Sequence, residues 1–168
     1  MGFKETSDLV AVSFSLDESA ANTFTQEEIA LQLDVLNNEI AVVYAIDLDL
    51  TAPDAIAATD TRVTGAVAST SQTSMPGLGD TNCLAQARQD IRAAGMLDSG
   101  VGFQRAAESS YTGNLPYIGL IATSNFFVQV QGTNNGFAKN VSGRLWMKRA
   151  RADATTYAAL VQSEVLSA

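Results

Sequence analysis

Apolar and polar residues alternate with a period of two along most of this chain, and the clearest run is residues 39–53, EIAVVYAIDLDLTAP. Ile40, Val42, Tyr44, Ile46, Leu48 and Leu50 occupy alternate positions against Ala41, Val43, Ala45, Asp47 and Asp49. That spacing predicts one strand with those six side chains on a single core-facing side. The same alternation predicts strands over residues 8–17 (Val10, Val12, Phe14, Leu16), 24–36 (Ile29, Leu31, Leu33, Val35) and 60–71, where Arg62, Thr64 and Ala66 face away from Val63, Gly65 and Val67. Further strands are expected over 101–109, 115–123, 125–131 and 139–150, the last with Val141, Gly143, Leu145 and Met147 opposed to Ser142, Arg144, Trp146 and Lys148.

Punctuation between these runs sets the expected connections. Asn37-Asn38 separates the second and third strands and reads as a tight turn, because Asn tolerates positive φ. Pro53 removes a ladder donor and ends the third strand. After the turn-rich run SQTSMPGLGD, residues 81–94 read as a short Ala-rich helix with Leu84, Arg88 and Ile91 on one side and Gly95 at its end. Residues 153–166 read as a terminal helix capped by Asp153, with Tyr157, Leu160, Val161 and Val165 as its buried stripe. The fold class expected is therefore all-β: an eight-stranded, jelly-roll-like sandwich with one inserted helix and a C-terminal helix, forming one domain over residues 1–168. A two-residue turn at Asn37-Asn38 conflicts with a jelly roll, which places its second and third strands in different sheets.

Composition narrows the chemistry. The 168 residues include no histidine and one cysteine, Cys83, which excludes an intrachain disulfide, a Cys2His2 zinc site and the His-dependent catalytic triads and dyads. No basic stretch followed by an apolar run opens the chain and no apolar run reaches about 18 residues, so the expectation is a soluble product without a membrane span. No cofactor motif stands out, and the chain reads as a non-enzyme. Gly77-Leu78-Gly79 lacks the lysine of a phosphate loop. Glu27 and Glu28 are adjacent and point to opposite faces of a strand, a poor acid and base pair. Asp47 and Asp49, with Asp54 nearby, share a face and are the candidate oxygen ligands for Ca²⁺, but without EF-hand spacing the plainer reading is solvated carboxylates and no metal.

Charge is unevenly distributed within a net −8. Residues 1–60 carry twelve acids and Lys4 alone, a balance of −11, whereas residues 61–168 carry six acids and nine bases, a balance of +3. Lys139, Arg144, Lys148, Arg149 and Arg151 lie within thirteen residues, and Arg144 and Lys148 share a strand face with Trp146. This basic, aromatic surface suits a solvated face, a neighbouring acidic subunit or phosphates. The candidate contact residues are accordingly Arg144, Trp146, Lys148, Arg149 and Arg151 on one side, and Asp47, Asp49 and Asp54 on the other. A carbohydrate or small-ligand module is the alternative, drawing on Trp146, Tyr111, Tyr117 and Phe137.

The runs IGLIATSNFFVQVQGTNN, GRLWMKRARAD and TTYAALVQSEVLSA, together with EIAVVYAIDLDLTAP and the Thr/Ser-rich strand after it, resemble small coat proteins of icosahedral viruses of environmental origin over roughly residues 24–168. The resemblance implies a jelly-roll subunit that self-assembles into a capsid, in a virion assembled in the host cytoplasm. Its implied partners are copies of itself, other capsid proteins and packaged nucleic acid. An arginine-rich N-terminal arm, common in such proteins, is missing: residues 1–24 hold one base and four acids.

Overall fold

The computed structural model describes residues 2–106 and 115–167. Within them run β1 (Phe3–Glu5), β2 (Val10–Asp17), β3 (Thr25–Ala30), β4 (Glu39–Leu50), β5 (Thr61–Ala68), β6 (Cys83–Arg92), β7 (Val101–Arg105), β8 (Gly119–Ile121), β9 (Asn125–Thr133), β10 (Asn140–Ala152) and α1 (Ala154–Ser167). The part of the expected 101–109 strand beyond 106, and Tyr111, lie outside the described residues.

All pairings are antiparallel and form two sheets. The first is ordered β2-β10-β4-β8, with β1 on the β2 side of β10; the second is β3-β9-β5-β6-β7. From β2 to β5 and from β7 to β10 successive strands alternate between the sheets, as in a jelly roll built of two Greek keys. The inner faces meet in a core of Phe14, Ile46, Val63, Val67, Phe126, Val128, Val130, Val141, Leu145 and Met147. Phe14 and Phe126 cross between the sheets edge to face at 5.9 Å. Gly143 makes room for this contact, since a Cβ there would lie 2.2 Å from the Asp47 carbonyl oxygen and 2.9 Å from the Phe14 ring.

Four expectations are corrected. Residues 81–94 form no helix; they contain β6, and with β1 the described strands number ten. Ala85 and Ala87 face the core while Gln86, Arg88, Asp90 and Arg92 face outward. That period of two, paired on both sides by β5 and β7, overrides the helical preference of alanine. Secondly, Asn37-Asn38 is no two-residue hairpin. β3 stops at Ala30, and residues 31–38 cross to the other sheet through a 3-10 turn at Val35–Asn37, with Gln32 and Asn38 at φ 55°. Leu31 and Leu33 are buried beyond the strand end, whereas Val35 is exposed.

Thirdly, β4 does not present its six apolar side chains on one side. Trp146 pairs with Ala45 but Met147 pairs with Val43, so β4 carries a bulge at Tyr44. Two consecutive residues of β4 then oppose one step of β10, and the alternation changes phase. Ile46, Leu48 and Leu50 pack with the inter-sheet core, while Ile40, Val42 and Tyr44 join a second cluster on the outer face. α1 covers that cluster with Tyr157, Leu160 and Val161. Deleting Ala45 should therefore regularise β4 while preserving both faces, with a change of about 1 kcal/mol in urea unfolding. A loss of the cooperative transition would disprove this account of the phase change.

Fourthly, Val165 is exposed and Glu164 is buried in its place. Glu164 accepts hydrogen bonds from Ala122 N (2.9 Å), Thr123 N (3.1 Å) and Thr123 Oγ1 (2.7 Å), anchoring the far end of α1 to the β8–β9 corner. The near end is capped as expected, Asp153 Oδ1 accepting from Thr156 N at 2.7 Å. No helix among the described residues is long and apolar enough to cross a membrane.

Candidate functional site

Beyond the reach of α1, the outer face of the first sheet is open. β10 places Ser142, Arg144 and Trp146 there, and β4, past its bulge, places Asp47 and Asp49 there. The register sets Arg144 directly opposite Asp47 and Ser142 opposite Asp49, with Ser13 of β2 on the far side of Arg144. These residues line a cleft of about 360 Å³. Among the described residues, Asp47, Asp49 and Arg144 form no ion pair or side-chain hydrogen bond. The cleft therefore presents two carboxylates, a guanidinium, two hydroxyls and an indole edge, all uncommitted.

The structure thus brings together four of the expected contact residues: Asp47, Asp49, Arg144 and Trp146. Their acidic and basic groups meet across adjacent strands of one chain. The other four are dispersed. Lys148 lies on the same face under β1, its Nζ 2.9 Å from Glu5 Oε2 and 5.2 Å from the Tyr44 ring centroid, and the Tyr44 hydroxyl donates to the other Glu5 oxygen. Arg149 points the opposite way, to the end of the sandwich. It donates to Glu39 Oε1 (2.7 Å), Gln32 O (3.1 Å) and Leu31 O (3.1 Å), stapling the β3–β4 crossing to β10. Arg151 is exposed near the end of β10, between Lys4 and Glu39 in register.

Asp54 belongs to the opposite end of the sandwich, where the β2–β3, β4–β5 and β9–β10 connections converge. Lys139, almost fully buried, reaches Asp54 Oδ1 at 2.7 Å, and Gly136 N donates to Asp54 Oδ2 at 2.8 Å. The Lys139 ammonium, followed by the Gly136 N–H, holds the Asp54 carboxyl below its ordinary value of 3.8. A carboxyl lowered in the folded state stabilises above its unfolded pKa, and this stabilisation fades as pH falls through the folded value. The stability difference between wild type and Asp54→Asn should be full above about pH 5 and shrink below about pH 4. A difference independent of pH in acid titrations would contradict the pair.

Beneath this pair lies a residue that sequence reading missed. Glu18 is buried and accepts from the backbone N–H groups of Thr23 (2.9 Å), Gly132 (2.9 Å) and Lys139 (2.8 Å). Asn135 links the same three connections through Asn22, Asp54 N and Arg62 O. A polar residue at the end of a predicted strand carries no signal of burial, because two of its three partners come from segments more than a hundred residues away.

Glu27 and Glu28, a poor acid and base pair by sequence, lie on β3, with Glu28 Oε1 accepting from Asn125 Nδ2 at 2.7 Å. No group of three or more Cys, Asp or Glu among the described residues is placed to hold a metal ion. Cys83 is half-buried, and burial pushes its thiol up to about 11, so little thiolate is present at neutral pH. Comparison with protein-family models, curated proteins and solved structures found no match.

Proposed function

We propose that the chain is a structural subunit that self-assembles into a closed shell of the viral-capsid type. The observation that carries this reading is the strand order β2-β10-β4-β8 facing β3-β9-β5-β6, an arrangement that serves viral capsid subunits as well as lectins and cupins. It is an argument by analogy of fold. Exposed apolar side chains at both ends of the sandwich add support. Leu97 is 91% and Phe137 76% exposed at the Asp54 end, and Leu36 is 94% exposed on the β3–β4 crossing. Large apolar groups left in water at loop tips become favourable contacts when subunits associate.

In this picture the apolar loop tips carry the subunit contacts. Lys148, Arg149 and Asp54 are held in internal ion pairs, and among the described residues Arg144, Trp146, Asp47, Asp49 and Arg151 are not. Size-exclusion chromatography with light scattering, followed by negative-stain microscopy, tests it. Large closed particles are expected for wild type, and smaller species for Leu97→Asp with Phe137→Asp. A 17.7 kDa monomer at every salt and protein concentration overturns it.

The cleft favours a second reading, a carbohydrate-binding module. An aromatic side chain beside uncommitted carboxylates, a guanidinium and hydroxyls is the chemistry that holds sugar rings and their hydroxyl groups. Binding on a glycan array that is lost with Trp146→Ala in a monomeric protein would establish it. No binding above background would remove it.

A further inference from the structure

On the other side of the sandwich, the outer face of β6 and β7 carries a second cleft, of about 550 Å³, whose lining includes Arg88, Asp90, Arg92, Val101 and Phe103. Asp90 is buried and its charge is already taken up by Arg62, whose Nε donates to Asp90 Oδ1 at 2.5 Å. Arg88 Nε stands 3.1 Å from the other Asp90 oxygen and is therefore a second cation on one carboxylate. Asp60 Oδ1 is occupied by the N–H groups of Ala93 (2.8 Å) and Ala94 (2.9 Å), and Asp60 Oδ2 is 3.9 Å from Arg92 Nη1. Arg62, Arg88 and Arg92 thus face two carboxylates, and Arg105, in register with Arg88 across the ladder, stands on the same face with its Nη1 donating to Gln86 O at 3.1 Å, so guanidinium groups outnumber carboxylates here on a chain of net charge −8.

Arg88 and Arg92 are held by these carboxylates at one edge only. No hydrogen bond from the terminal nitrogens of Arg88 or Arg92 exists among the described residues. Both stand on one face of β6 on either side of Asp90, four residues and therefore about 13 Å apart at Cα, a gap that two long arginine side chains can close over Asp90. Across the ladder, Phe103 is in register with Asp90 and Val101 with Arg92. Phe103 is 57% exposed, so one side of the cleft is an aromatic and aliphatic floor and the other a fork of guanidinium donors.

We propose that this cleft binds a phosphate monoester carried on a planar aromatic ring, the chemistry of a mononucleotide. The phosphate oxygens accept from the terminal nitrogens of Arg88 and Arg92, which suit paired donation to an oxyanion, and the ring lies on Phe103. The volume falls in the range for one small ligand. The excess of guanidinium groups over carboxylates on this face suits one phosphate, and the acidity of the whole chain disfavours a longer polyanion. The assignment is independent of shell assembly and of the sugar cleft on the opposite sheet.

Isothermal titration of the full chain with adenosine 5′-monophosphate, adenosine, inorganic phosphate and a ten-residue oligodeoxyadenylate tests it. Adenosine 5′-monophosphate is expected to bind at least about tenfold more tightly than adenosine or phosphate alone, because both halves of the site are then engaged. Phe103→Ala and Arg88→Gln, both at partly exposed positions, are each expected to weaken it at least about tenfold with an unchanged Tm, and Trp146→Ala to leave it unchanged. Lack of binding at about 10 mM, equal affinity for adenosine, indifference to both substitutions at the cleft, or tighter binding of the oligonucleotide would each overturn the proposal.

Discussion

Replacing Glu18 by alanine is expected to lower the stability of the protein by about 4 kcal/mol, because three buried or half-buried backbone donors lose their acceptor together. The carboxylate of Glu18 sits at the point where three connections meet, accepting from Thr23, Gly132 and Lys139. Each orphaned donor costs about 1–3 kcal/mol, and water entering the space left by the side chain offsets part of the total. Glu18→Gln separates hydrogen bonding from packing. The amide keeps the shape but turns two donor hydrogens toward backbone N–H groups that also donate, so this variant too should be strongly destabilised. Urea unfolding monitored by circular dichroism gives both values, and a neutral Glu18→Gln would show that the side chain merely fills space.

Arg149→Ala should cost about 2–3 kcal/mol, whereas Arg144→Ala should fall within about 0.5 kcal/mol of wild type. The two arginines are five residues apart on one strand, and the sequence alone ranks them equally as surface contacts. Arg149 holds one carboxylate and two carbonyl oxygens of the β3–β4 crossing. Without it the Leu31 and Gln32 carbonyls lose charge-assisted donors, and Glu39, partly buried, loses its counter-ion. Arg144 forms no comparable bond and is exposed. The same pair of variants separates structure from association: an effect of Arg144→Ala on particle formation at unchanged stability marks a contact, and Arg149→Ala should act through the fold. Equal destabilisation by both substitutions would refute the distinction.

The contrast between these residues shows how far the residue pattern reaches. Alternation located β2, β4, β5, β9 and β10, and assigned the inner faces of β2, β5 and β10 correctly, because a half-buried strand needs apolar side chains at every second position. It placed Arg144, Trp146 and Lys148 on one outer face, and the N-cap at Asp153 was legible because capping is local. Segment 81–94 was misread because alanine satisfies both periods, and only the neighbouring strands β5 and β7 decide between them. The bulge at Tyr44 was invisible for a related reason. Ile40 and Ile46 are equally apolar, and both are buried, one beneath α1 and the other between the sheets.

What the sequence determines by itself is local: strand and helix periodicity, the caps, the absence of histidine, and an acidic first third against a basic remainder. What only the tertiary structure decides is which distant groups become neighbours. It sets the acidic end of residues 39–53 beside Arg144 inside one chain, draws Arg149 and Lys139 into internal ion pairs, buries Glu18 and Glu164 on backbone donors, and gathers Arg62, Arg88 and Arg92 around two carboxylates. The physical reason is that hydrophobic alternation is written residue by residue, whereas a buried charge is stable only beside partners that the strand order supplies.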